Sequence, residues 1–248
     1  MKINYYLKRH FFLLASIVVG IVLLFYADYR ARNIWFVIGM DNNINALMTA
    51  MGCGLDSWMG IFFPVLATVP FATSYVSDQK SGYFSSQRLR KHHKSYFIEK
   101  LWKSALTGSL SLAVPVAFFS IYLWMNNPCS ASLYDESGDT VTSFMTHFAE
   151  ENPKLYMALI VLLTAIVGAS MAVFALGIST IVKNEFLTLL IPFGICILSA
   201  ILGDKNNLLL TFCPSEQADI SLYRVLIMDL IVLAIGVGLW IYEYRRKE

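Results

Sequence analysis

Charge is what this chain has little of. Asp, Glu, Lys and Arg make up only 15% of its 248 residues, against roughly a quarter of an ordinary globular chain. So few charges beside 57% hydrophobic residues exclude an ordinary soluble domain and fit a chain whose solvent is mostly lipid. Cysteine is scarce as well. Cys53, Cys129, Cys196 and Cys213 form no CxxC pair and no metal-ligand spacing, so no metal site is expected. Cys196 lies inside an apolar run and reads as a small buried hydrophobe. The other three fall in segments placed outside the membrane, and a Cys129–Cys213 bridge stays open.

Chemistry-bearing motifs are missing too. No GxxxxGK[ST] phosphate loop and no HExxH occur. Glu150-Glu151 lacks the downstream Arg that a paired-glutamate membrane endopeptidase would want, and His147 has no nucleophile at a motif spacing. No catalytic residue and no directly bound cofactor are therefore expected. Neither heptads nor a solenoid period are present.

What the chain does have is long apolar runs. They predict an all-α, polytopic membrane protein: one transmembrane domain over residues 1–248, with six spans at about 11–27, 57–76, 104–125, 154–182, 186–202 and 224–242. The first run resembles a secretory signal, but it ends in Asp28-Tyr29-Arg30 without a small-residue cleavage site, so an uncleaved span is expected. Pro64, Pro70, Pro115 and Pro192 fall inside spans, which is tolerated where neighbouring helices cover the freed carbonyls. The fourth run is rich in small residues, and Gly168, Ala172 and Ala175 sit at helical spacing for close helix–helix approach. Residues 28–55 are polar and Asn-rich, with room for a short helix at the outer surface. A semi-apolar run, Leu208 to Pro214, is too short to cross and is expected to dip into the outer leaflet.

Orientation follows from the positive charges. Fourteen of the nineteen Lys and Arg residues fall in the termini, the 77–103 loop and the 183–185 turn, whereas eleven of seventeen acids fall on the other side. Both ends are expected in the cytoplasm.

The longest basic polar run is the cytoplasmic loop 77–103, SDQKSGYFSSQRLRKHHKSYFIEKLWK. It holds seven Lys and Arg against Asp78 and Glu99. Roughly four to six residues would join two adjacent helices, so its length asks for a purpose. Gly82 can break a turn begun at Ser77-Asp78, and Ser85 or Ser86 can start a second short helix lying on the headgroups with Arg88 and Lys91 outward. The plain alternative is a positive anchor on anionic membrane lipid. His92 and His93 are adjacent and cannot share a helix face, which argues against a metal there.

The run Phe63 to Tyr75, then Asp78-Gln79-Lys80-Ser81-Gly82-Tyr83, Arg88 and Lys94 to Lys100, resembles ABC-2 type exporter permeases, the membrane subunits of bacterial ABC transporters. The six-span layout matches along the whole chain, the residue pattern only over about Phe63 to Lys100. The resemblance implies that the segment after the second span is a coupling helix seated in a cleft of an ABC ATPase subunit. Asp78, Lys80, Ser81, Gly82 and Tyr83 match the contact segment, and Arg88 the basic residue after it. Asn4 to His10 matches an interfacial helix, although this stretch is short here. It further implies two ATPase copies carrying ATP and Mg, a second permease copy or paralogue, and a bacterial plasma membrane. An amphipathic or hydrophobic peptide of bacteriocin or lantibiotic type is the implied cargo. No nucleic-acid partner is expected. The competing class is a non-transport membrane protein, a sensor or assembly partner whose basic loop binds lipid or a cytosolic domain.

Asp229 is the one acid well inside a span. An ionised carboxylate at mid-bilayer costs about 2.5–3.5 kcal/mol even on insertion scales. It is expected to face the bundle interior, either on a substrate or proton pathway or in a structural hydrogen bond to Ser or Thr on another helix or to a partner subunit.

Overall fold

The computed structural model describes residues 2–33, 43–52, 58–82, 93–126, 145–202, 208–212 and 222–247. All regular structure among them is helical: α1 (Lys2–Asn33), α2 (Asn43–Met51), α3 (Trp58–Thr68), α4 (Ser74–Lys80), α5 (His93–Asn126), α6 (Thr146–Glu151), α7 (Pro153–Ile181), α8 (Glu185–Leu202), α9 (Leu209–Phe212) and α10 (Leu222–Lys247). Four of them, α1, α5, α7 and α10, carry segments long and apolar enough to cross a membrane, while α3 and α8 are apolar but shorter. The chain is thus a helical protein with multi-pass membrane character.

The bundle is built around α7, which packs on α3, α5, α8 and α10. Its small-residue stripe is the reason. Gly168 on α7 faces Gly108 on α5 so closely that a Cβ on either would collide with the other's backbone. Two hydroxyls bridge the same seam: Ser109 Oγ donates to the Ala165 carbonyl at 2.7 Å and Ser104 Oγ to that of Ala172 at 3.0 Å. The pairing of 104 with 172 and of 109 with 165 makes α5 and α7 antiparallel. On its other side α7 meets α10 at a second glycine pair, where a Cβ on Gly177 would lie 2.6 Å from the Gly236 carbonyl oxygen. Small residues let backbones approach until dispersion and short hydrogen bonds hold the helices without a hydrophobic driving force. The expected close approach of the fourth span is present at Gly168 and Ala172. Gly108 and Gly236, its partners, carry no signal of their own in the sequence.

The second apolar run is not one helix. α3 ends at Thr68, residues 69–73 form turns, and α4 resumes at Ser74. Pro70 is the cause, because it lacks the N–H that would bond the Leu66 carbonyl. That carbonyl instead accepts a 2.7 Å hydrogen bond from Ser16 Oγ on α1, so a neighbouring helix covers what the proline frees. The remaining apolar runs fall on α1, α5, α7, α8 and α10, the fourth overrunning α7 by Val182, and α1, α5 and α10 extend beyond the apolar runs at both ends.

The short helix expected between 28 and 55 is α2, but Ile44, Leu47, Ala50 and Met51 are buried. It packs on α1, α3 and α5 rather than lying on the surface. α9 likewise turns inward, with Phe212 buried and stacked on Phe63 at 4.7 Å. Cys196 is a free, buried thiol, as expected of a small hydrophobe. Cys53, Cys129 and Cys213 lie outside the described residues.

Candidate functional site

The start of the basic loop leaves the bundle at the end of α4, and the residues that fix it form one cluster. α4 is seven residues long and cannot be stable alone. It is held by its buried face, Ser74, Tyr75, Val76 and Asp78. Asp78 is fully buried. Its Oδ2 accepts a hydrogen bond from the Tyr96 hydroxyl at 2.7 Å and pairs with Lys100 Nζ at 2.7 Å. Tyr96 and Lys100 are one turn apart on α5, so both reach the same carboxylate oxygen. The Lys100 ammonium also sits 5.0 Å from the centre of the Phe71 ring, which adds a cation–π attraction where water is excluded.

A second set of bonds ties the same end to α10. The Tyr75 hydroxyl donates to Glu243 Oε1 at 2.9 Å, and Trp240 Nε1 donates to the Phe97 carbonyl at 3.1 Å. Tyr75, Phe97 and Trp240 pack edge-on or tilted, with ring centres 4.7–6.2 Å apart. Leu176 of α7 belongs to this aromatic cluster. On the α1 side, Arg9 Nη1 donates to Thr73 Oγ1 at 2.9 Å. Elements from the whole length of the chain therefore clasp α4, and each tyrosine and tryptophan places its polar atom on a partner.

The loop residues singled out from the sequence divide at this clasp. Asp78 faces inward and is a buried anchor, not a surface available to a partner. Lys80, Ser81 and Gly82 follow it and are exposed. Lys80 Nζ lies 3.9 Å from Glu185 at the start of α8, with both side chains about half exposed. Such a pair adds little to stability. Gly82 has φ +69°, with nothing near the position of a Cβ. A side chain has room there but not the backbone conformation. Tyr83, Arg88 and the second short helix lie outside the described residues.

Asp229 is buried as expected, on the α10 face that also carries Val225, Val232 and Gly236. Among the described residues neither carboxylate oxygen has a hydrogen-bond partner. The Ser and Thr hydroxyls of α7 are turned elsewhere: Thr164 bonds the Val161 carbonyl and Ser170 that of Ile166, within their own helix.

Tyr75, Tyr96 and Lys100 fall in the runs that carry the resemblance but have no role of their own assigned from the sequence, and Trp240 and Glu243 carry no signal there. The geometry defines a helical membrane-type bundle with a rigid clasp beneath an exposed turn. Comparison of the chain with family models, curated proteins and solved structures finds no match.

Proposed function

We propose that the chain is the permease subunit of an ATP-driven exporter of the ABC-2 type, with six spans and both termini in the cytoplasm. In this reading α3 with α4 and α8 complete the six crossings, and the clasped end of the bundle faces the cytoplasm. Two ATPase chains bind below a pair of permeases. Their closure on ATP is delivered to the turn after α4 and shifts the permease pair between inward- and outward-open states. The cargo class is an amphipathic or hydrophobic peptide taken up at the interface between permeases.

One observation carries the reading. The exposed turn Lys80–Gly82 follows directly on a buried ion pair that fastens α4 to α5, so a push on the turn reaches several long helices without first bending a loose loop. A lipid anchor needs positive charge but no such rigid footing. The resemblance of residues 63–100 to ABC-2 permeases supplies the identity of the pushing partner.

The test is co-purification from membranes in which the chain is expressed with its own genomic neighbours. An ATPase is expected to accompany the wild type and to leave when Gly82→Glu or Lys80→Glu alters the turn. An ATPase absent from the wild type, or retained undiminished by both variants, contradicts the proposal.

A further inference from the structure

Far from the clasp, α5 finishes beside the start of α7, well beyond their glycine crossing. Trp124 lies sixteen residues beyond Gly108, or about 24 Å along the helix. A cavity of about 280 Å³ opens between them, lined by Ala117, Ser120, Ile121 and Trp124 of α5 and by Lys154 and Ala158 of α7, among others. Three features set this cavity apart from a packing fault. Ile121 and Trp124 are more than half exposed on a helix apolar enough to cross a membrane, so the cavity has a lipid-facing wall. Ser120 is 7% exposed, and its hydroxyl has no hydrogen-bond partner among the described residues. Lys154 stands over the Trp124 ring, its Nζ 5.0 Å from the ring centre, and makes no ion pair among the described residues.

We propose that this groove holds one anionic glycerophospholipid. Its phosphate meets the Lys154 ammonium beside Trp124, one acyl chain fills the apolar cavity, and an ester oxygen accepts from the Ser120 hydroxyl. The order of the groups along the helix matches the order within the lipid. Ser120 lies one turn, about 6 Å, deeper than Trp124, as the glycerol esters lie deeper than the phosphate. Trp beside Lys at a membrane–water boundary suits a headgroup, since the ring is amphipathic and the ammonium reaches outward along an apolar stem. The charge selects the occupant: a cation with no ion pair among the described residues favours a headgroup of net negative charge over a zwitterionic one, whose phosphate is already balanced by its own ammonium, by roughly the contribution of one basic residue near an anionic surface. A buried hydroxyl without a partner among the described residues gains a bond. No covalent step is involved.

The test is native mass spectrometry of the full chain in detergent micelles, titrated with phosphatidylglycerol and, in parallel, with phosphatidylcholine. The wild type is expected to hold one phosphatidylglycerol more tightly than phosphatidylcholine. Lys154→Gln is expected to lower that preference about fivefold, and Lys154→Arg to keep it. Ala158→Phe, at an exposed position that tolerates a larger side chain, fills the groove and should abolish retention of both lipids. Millimolar inorganic phosphate should not displace the lipid. Equal binding of the two lipids by the wild type, an unchanged preference in Lys154→Gln, undiminished retention in Ala158→Phe, or displacement by phosphate would each overturn the proposal. Circular dichroism of Lys154→Gln, altered only at an exposed side chain, checks that its helices are intact.

Discussion

The α5–α7 pair ends differently on its two sides. On one side the first turns of α5 carry Tyr96, Phe97 and Lys100, which are buried against α4 and α10 with Asp78, Tyr75 and Trp240. On the other side the pair encloses a cavity, a Ser120 hydroxyl without a hydrogen-bond partner among the described residues and a lysine set over a ring. At one end α5 is thus fastened by polar bonds to α4 and α10 while α7 packs Leu176 against them, and at the other the two helices line a cavity. The difference suggests a division of labour: the clasped end is suited to transmit force, and the open end to accommodate something that is not protein.

Breaking the clasp should have the largest effect. Asp78→Ala leaves the Lys100 ammonium buried without its carboxylate, which costs about 3–5 kcal/mol. The midpoint of thermal unfolding in detergent should fall accordingly. The double change Asp78→Leu with Lys100→Met should recover much of that loss, because an apolar pair of similar volume removes the uncompensated charge. If the single and double variants were equally unstable, the ion pair would not be what holds α4.

The crossing between the two ends comes next. Gly168→Val forces a branched side chain into the Gly108 backbone, and overpacking of this kind costs about 1–3 kcal/mol or more. Since it loosens both ends at once, lipid retention should weaken along with thermal stability. Tyr75→Phe is smaller again. It removes the hydroxyl that meets Glu243, a bond to a charged group worth about 1.5–3 kcal/mol, although Lys247 lies 3.9 Å from the same Glu243 oxygen and should soften the loss. Urea titration at fixed detergent would rank it below Asp78→Ala.

The smallest effect is expected at the open end. Ser120→Ala deletes a hydroxyl without a partner among the described residues, so stability in lipid-free detergent should stay within about 0.5 kcal/mol of wild type or rise. A loss matching that of Tyr75→Phe would mean that the two ends are not different in kind.

The features that could be read in the sequence are those with a local signature. The long apolar runs gave the cores of α1, α5, α7 and α10, because span length is set by bilayer thickness. The small residues of α7 announced a close approach, and the rule that neighbours cover carbonyls freed by proline is met at Leu66. The break at Pro70 was harder to foresee, since a proline in a span can kink a helix or end it, depending on its neighbours. Of the clasp, the runs holding Asp78, Tyr96 and Lys100 are legible but their pairing is not. Tyr75 and Glu243 are 168 residues apart, and no periodicity links them. The resemblance matches Asp78 to the same contact segment as Lys80, Ser81 and Gly82, whereas its position on α4 turns it inward. Asp229 was legible as a buried acid, since one carboxylate in an apolar run can hardly face lipid. Its lack of a hydroxyl partner among the described residues was not, because Thr164 and Ser170 of α7 bond their own backbone.

The most direct test places a photo-crosslinker at Ser81 in membranes that also contain the neighbouring gene products. An adduct with an ATPase, formed at the cytoplasmic face and reduced when Asp78→Ala loosens the clasp, is the expected result. Labelling of Ser81→Cys by an impermeant maleimide from the external side, or no ATPase adduct in an intact assembly, would contradict it.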